Sequence, residues 1–280
     1  MLAGVLGLAT IGALVALAAP ALARPLDEVI ETKVLRICVY EDNEPFSWTK
    51  DGEATGIDVE IGKALATKLG VAPEIIIRMQ GEKVDQDLRY NIVRGTLGGG
   101  IAGDVMMHVP VDKELGQQVK DAVIGNAYFR QQVALAVHPD RAGEIASFDV
   151  FKAEKIGVQL ATVSDYFLMR YDNGALVPNV AHHVKPIQGV QRFITKETLA
   201  ILGVRSNLEA LLKSKNQPAK WVNPPMPGIV RASWVLGTAV SERSRDLGHA
   251  VGAALGDMAT EGTLKSIFEK YGVTYLPPEP

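Results

Sequence analysis

The chain has 280 residues, 47% of them hydrophobic and 22% charged, enough apolar material for one or two packed cores, which excludes disorder. Its formal charge is -3 and its 29 lysines and arginines are scattered singly, so no basic stripe exists to neutralise nucleic-acid phosphates or anionic lipid. Cys38 is the single cysteine, which excludes an intramolecular disulfide.

Residues 1–23 carry no charge and end in Ala21-Leu22-Ala23 before Arg24-Pro25, the small-residue pattern of a secretory leader. The run lacks the basic stretch that usually opens a leader, and uncleaved it is long enough to span a bilayer. A cleaved signal peptide over 1–23 and a periplasmic protein are the expectation.

Residues 34–39 alternate and are β-rich, predicting a strand that buries the Cys38 thiol as a structural group. Ile57, Ile61, Leu65 and Leu69 recur every fourth position, predicting a helix over 56–70 that stops at Gly70. A second strand is expected over 74–78. This βαβ order argues for a parallel sheet in an α/β domain.

Leu88, Ile92, Val93 and Leu97 line one face of a helix starting near Asp85, which runs into Gly98-Gly99-Gly100-Ile101-Ala102-Gly103. The glycines fit the dinucleotide fingerprint G-x-G-x-x-G letter for letter. The strand, 104–109, comes only afterwards. A dinucleotide site needs the reverse order, because the pyrophosphate sits on the N-terminus of the helix that the glycines open. These glycines are therefore expected to stop a helix and turn the chain.

A second block repeats the theme. Strands are predicted over 128–137 and 155–160, a helix capped by Thr162 runs through Met169 and Tyr171, and a short strand at 199–202 precedes a helix over 207–212. Residues 221–228, with prolines at Pro224, Pro225 and Pro227, predict a loop. A strand over 234–240 and two amphipathic stretches, 245–259 and 261–271, close the chain. Two α/β halves fit this better than one.

The order of these pieces resembles a known family. Leu35-Arg36-Ile37-Cys38-Val39, Pro45-Phe46-Ser47, Asp51-Gly52 and Gly56-Ile57-Asp58-Val59-Glu60-Ile61 are similar to the opening of the family 3 extracellular solute-binding proteins, receptors of polar amino-acid ABC importers. Gly103-Asp104-Val105-Met106, Ala127-Tyr128-Phe129, Ile156-Gly157-Val158-Gln159 with Thr162, and Glu261 through Tyr271 continue the likeness. It implies an α/β, two-lobed periplasmic binding protein fold (type II) with two hinge strands near 128–132 and 232–236. The first lobe would be discontinuous, 33–131 plus 237–276, and the second would be 132–236. Such receptors close on a ligand and dock on a permease. The resemblance places candidate ligand residues at Tyr40, Asn43, Phe46, His108 and Pro110 in the first lobe, and at Gln159, Thr162, Ser164 and Arg205 in the second.

Two positions depart from the family pattern. The arginine that grips an α-carboxylate is replaced by Leu115, and the aspartate that holds an α-ammonium by Val204. Leaving either charge unpaired in a closed cleft costs several kcal/mol. A small polar solute other than a standard α-amino acid is the expected ligand. Leu88-Arg89-Tyr90-Asn91, Arg94-Gly95-Thr96-Leu97 and Asp104 to Pro110 also resemble a divergent branch associated with periplasmic quinoprotein (PQQ) alcohol and methanol dehydrogenases. That likeness implies an accessory role beside a dehydrogenase and its cytochrome c instead of an ABC permease. A third alternative is a periplasmic dehydratase on the same fold.

No hydrolase or metalloprotease motif occurs, so a monomeric non-enzyme without cofactor or metal, and without nucleic acid as partner, is the expectation. Glu41, Asp42 and Glu44 read as a solvated acidic turn, and the adjacent His182 and His183 as surface histidines lacking the i, i+4 spacing of a helical metal pair. His108 reads either as a ligand or acid/base group or as a hydrogen-bonded structural histidine. Met106 and Met107 are expected on opposite faces of a strand, and Arg205 has the spacing to pair with Glu209 as well as the charge to meet an anion.

Overall fold

The computed structural model describes residues 23–96, 100–229 and 231–278. The expected leader, apart from Ala23, and Leu97, Gly98 and Gly99 lie outside the described residues.

The first lobe starts with α1 (Leu26–Thr32), β1 (Val34–Tyr40), a small hairpin of β2 (Trp48–Lys50) and β3 (Glu53–Thr55), α2 (Ile57–Lys68) and β4 (Ala72–Arg78). β1 and β4 pair in parallel from Val34 with Ala72 to Tyr40 with Arg78, with α2 as the crossover. Ile57, Ile61 and Leu65 are fully buried on its inner face, as their spacing demands. The expected helix near Asp85 is two pieces, α3 (Val84–Leu88) and a wider π turn over Arg89–Val93. Gly95, at φ 77°, turns the chain, and β5 (Val105–Pro110) follows. A Cβ on Gly103 would lie 2.5 Å from Cys38 Sγ, so a glycine there lets the chain run against β1. The order helix, glycine turn, strand therefore stands, and Cys38 is buried and free.

After α4 (Lys113–Gln118) comes β6 (Ala122–Val137), the longest strand. Its first part pairs antiparallel with β11 (Ser233–Ser241), from Ala122 with Ser241 to Gln132 with Ser233. Its last part pairs instead with β9 (Ala200–Val204) and β10 (Lys220–Val222). The expected crossings, 128–132 and 232–236, thus run side by side and are hydrogen-bonded to each other. The sheet order is β4-β1-β5-β11-β6-β9-β7-β8, with β10 beside β6, where β7 is Ile156–Gln159 and β8 is Val180–His183.

Helices α5 (Val163–Arg170), α6 (Pro186–Ile194) and α7 (Arg205–Ser214) cover the second lobe, and α8 (Arg245–Thr260) and α9 (Thr263–Lys270) return to the first. One core joins Val29, Ile37, Ile57, Phe129, Val251 and Phe268; another joins Leu135, Phe148, Ile156, Phe167 and Leu202. Trp234, on a crossing strand, packs against both. Met106 and Met107 face opposite sides of β5, in different cores. Among the described residues no helix is long and apolar enough to cross a membrane.

Three expectations need correction. Trp221 and Val222 belong to β10 and only the residues after them form a loop, because a strand edge on β6 was available to take them. The stretch from Val180 to Ile194, unassigned from sequence, forms β8 and α6. His182 and His183 lie on β8, the edge strand beside β7; His183 is no surface histidine, being only 6% exposed, while His182 is half-buried.

Candidate functional site

A cleft of about 770 Å³ lies between the lobes. Its first-lobe wall is the turn after β1, Asp42 to Pro45, with Trp48 and Tyr271; its second-lobe wall is Gln159, the start of α6 at Lys185 to Ile187, and one face of α7 from Asn207. The acidic turn is held by a bridge between Asn43 and Ser47, whose backbones exchange hydrogen bonds of 2.7 and 3.0 Å. Asn207 reaches across and donates from Nδ2 to Glu44 O at 2.9 Å. Asn43 Nδ2 is buried without a protein partner.

Beneath it, in the second lobe, a pocket of about 80 Å³ opens where the carboxyl ends of parallel β7 and β9 meet the N-termini of α5 and α7. Strand ends and helix starts of this kind gather backbone donors around a concave surface. Gln159, Pro186 and Asn207 line both spaces. Thr162 caps α5: its hydroxyl accepts from Asp165 N at 3.3 Å and donates to Gln159 O at 2.8 Å. Ser164 is 2% exposed in the pocket wall. His183 also lines it, with Nδ1 lacking a partner; burial, then the Arg192 charge, pulls its pKa down to about 4. His182 Nε2 meets Asp165 Oδ1 at 2.9 Å, tying β8 to the start of α5.

The structure thus brings Asn43, Gln159, Thr162 and Ser164 to the cleft and its inner pocket. It puts the other sequence candidates elsewhere. Tyr40 is 3% exposed in the first-lobe core and donates to Asp87 Oδ2 at 2.9 Å. Burial raises the pKa of both members of that pair. Phe46 is 1% exposed, clustered with Phe129, Phe268 and the His108 ring. Pro110 ends β5 opposite Leu236. Arg205 bonds Glu209 Oε1 at 2.8 Å and lies over the Trp221 ring, so its charge is satisfied within the second lobe.

His108 belongs to a buried network. Its Nδ1 lies 2.9 Å from Asp58 Oδ2, Tyr128 OH donates to Asp58 Oδ1 at 2.6 Å, and His108 N–H donates to the same hydroxyl at 3.2 Å. Asp58 is fully buried. Burial of the Tyr128 phenol itself, then the Asp58 charge, pushes its pKa well up. His108 holds φ at 62°, a left-handed conformation unusual for a side-chain-bearing residue.

Sequence reasoning missed Lys185, Asn207 and Tyr271. The signal for Lys185 was present, since Pro186 opens a helix with Ile187, Val190 and Phe193 on one face. Tyr271 reaches the cleft from the far end of the chain, and its hydroxyl bonds Thr55 and Gly56 at 3.3 and 3.2 Å. Of the family's charge-binding positions, Leu115 packs against the first-lobe core and Val204 lines the inner pocket; neither carries a charge. Among the described residues no group of three or more His, Cys, Asp or Glu is placed to hold a metal ion.

Two lobes, two crossing strands and a cleft between them match solved structures over nearly the whole chain. An ancestral cationic amino acid solute-binding protein aligns at TM-score 0.68 and 22% identity, covering 88% of this chain and 99% of that one. The unliganded, open L-cystine solute receptor of Neisseria gonorrhoeae aligns at 0.64 and 21%, covering 91% and 100%. Residues 35–91 match the family described as bacterial extracellular solute-binding proteins, family 3.

The resemblance to family 3 holds. The fold is the two-lobed type II architecture of these receptors. An ancestral cyclohexadienyl dehydratase shares it, at TM-score 0.56 and 22% identity, covering 90% of this chain and 98% of that one. Among curated protein sequences none matches.

Proposed function

We propose that this chain is an extracellular solute receptor that takes a small polar solute, other than a standard α-amino acid, between its lobes and presents it to an ABC permease. The observation that carries the reading is the cleft itself, lined from both lobes by polar groups and spanned by Asn207 on Glu44. The lobes are 33–131 plus 237–276 and 132–236, and the paired crossing strands are the hinge. Gln159, Thr162, Ser164 and Asn43 hold the solute, with Asn207 and Lys185 added by the geometry. Uncharged Leu115 and Val204 argue against a zwitterion.

A thermal-shift scan of the protein against amino acids, small carboxylates, polyamines and sugars tests this. A solute at a hundredfold over its dissociation constant adds about 2.7 kcal/mol, or roughly 5–10 °C. A shift with a carboxylate, polyamine or sugar supports the reading. A shift confined to α-amino acids overturns the ligand class, and no shift with any solute overturns the receptor.

One observation favours a second reading, catalysis: an Asp58–His108 pair buttressed by Tyr128 in a lobe that also occurs in a dehydratase. It predicts turnover of a bound cyclic carboxylic acid that His108→Ala abolishes without abolishing binding.

A further inference from the structure

A further cavity, of about 970 Å³, shares no wall residue with the cleft and meets the inner pocket only at Val163. Its wall residues all lie between Asp149 and Arg231. One side is a single face of α5, where Val163, Tyr166, Phe167 and Arg170 stand at i, i+3, i+4 and i+7. The loop Pro227-Gly228-Ile229 supplies another side. Phe167 is buried and roots the helix face in the second-lobe core, with the Phe148 and Tyr171 rings edge-on to it at 4.7 and 5.6 Å. Tyr166, beside it, is 61% exposed. Small-molecule sites take this form, a concave and mostly apolar wall of roughly 300–1,000 Å³ with a few polar groups that fix orientation.

The charges on the wall are matched within the protein, with one exception. Asp149 and Asp172 share the Lys152 ammonium, at 2.7 Å each. Arg231 bonds Asp112, at the start of α4. The Arg170 side chain has no ion-pair or hydrogen-bond partner among the described residues. Its guanidinium therefore keeps the whole planar fork of donors for an incoming carboxylate, which it can hold by both oxygens.

We propose that this cavity is a second ligand site and that it takes a small aromatic monocarboxylate. Arg170 grips the carboxylate, while the ring packs on Tyr166 and the edge of Phe167 beside Ile229. Tyr166 and Arg170, four residues apart, are neighbours on the helix surface, so one small molecule touches both. A flat ring extends the edge-to-face cluster of Phe148, Phe167 and Tyr171, and such contacts add to what area burial alone gives. A single negative charge is the match. A second one would lie against Asp149 and Asp172, and a cationic ligand would have to take those carboxylates from Lys152. The site is separate from the solute cleft and so holds whether or not the chain is a receptor.

The test titrates benzoate, 4-hydroxybenzoate and indole-3-acetate into the protein, read by backbone amide NMR shifts. The expected result is saturable binding with a dissociation constant below about 1 mM, with shifts over 163–171 and 228–231 and none over 185–187. Acetate, which lacks the ring, and benzyl alcohol, which lacks the charge, should each bind about tenfold more weakly or worse. Arg170→Gln should weaken benzoate about tenfold and Tyr166→Ala about fivefold, both with the thermal midpoint kept because the two side chains are exposed. Gln159→Ala, made to weaken the cleft, should leave benzoate binding as it is. No saturation up to about 10 mM overturns the proposal. So does an affinity that Arg170→Gln leaves unchanged, or benzyl alcohol binding as tightly as benzoate. Shifts centred on Asn43, Lys185 and Asn207 also overturn it, because they put the probe in the cleft.

Discussion

The two inner walls of the molecule differ in what their polar groups are doing. In the first lobe, Tyr40, Asp58, His108 and Tyr128 are tied to one another or to Asp87, mostly in full burial. In the second, Gln159, Thr162, Ser164 and Asn207 line open space, and His183 Nδ1 has no protein partner. The difference teaches that a polar residue near a strand end is a ligand candidate when it lines open space, and not when its side chain is sealed into a core network. The first lobe contributes to the cleft through one turn, Asp42 to Pro45, with Trp48 and Tyr271, and otherwise spends its polarity on its own rigidity.

The sharpest way to break this contrast is Asp58→Ala. It leaves the Tyr128 hydroxyl and His108 Nδ1 without their shared acceptor, and should cost about 3–4 kcal/mol in urea unfolding. A loss below about 1 kcal/mol means that the network is not structural.

Next in size is the acid response of the second lobe. His183 takes up a proton near 4 in the folded chain, against 6.5 ordinarily, so between those values the unfolded state binds the extra proton. Stability should fall as pH drops through that window, by about 3 kcal/mol from this residue, and be full above it. His183→Gln should flatten the acid limb relative to the parent protein in parallel pH scans.

Gln159→Ala should show the reverse of Asp58→Ala. Unfolding free energy should stay within about 0.5 kcal/mol, while calorimetry with the solute found in the thermal scan shows affinity about tenfold weaker. Equal affinity removes the second-lobe wall from the site.

The smallest effect is expected for Arg205→Gln: about 1 kcal/mol of stability from the lost Glu209 contact, and unchanged solute affinity. Weakened affinity with unchanged stability would return Arg205 to the cleft.

Most strands and helices were legible because their apolar spacing is regular: Ile57, Ile61 and Leu65 on α2 are each fully buried, as their period requires. The segment Val180 to Ile194 escaped because four residues of strand carry too little alternation to register, and its histidines suggested a surface. The site was half legible. Gln159, Thr162 and Ser164 follow one strand end in sequence, so local reading reached them. Tyr40 and Phe46 were taken for cleft residues because distance along the chain from a strand end cannot reveal whether a ring turns inward. Tyr271 meets Gly56 only through tertiary packing, which no local pattern encodes.

The core shared by residues on both sides of the second lobe has a consequence for how the polypeptide comes into being. Val29, Ile37 and Ile57 must wait for Val251 and Phe268, more than half the chain later, before that core can close. The core of Leu135, Phe148, Ile156, Phe167 and Leu202 is complete long before those helices emerge. In a chain delivered from its amino end, the packing partners of the middle are therefore all present before those of the beginning, whose core stays open until the final helices arrive.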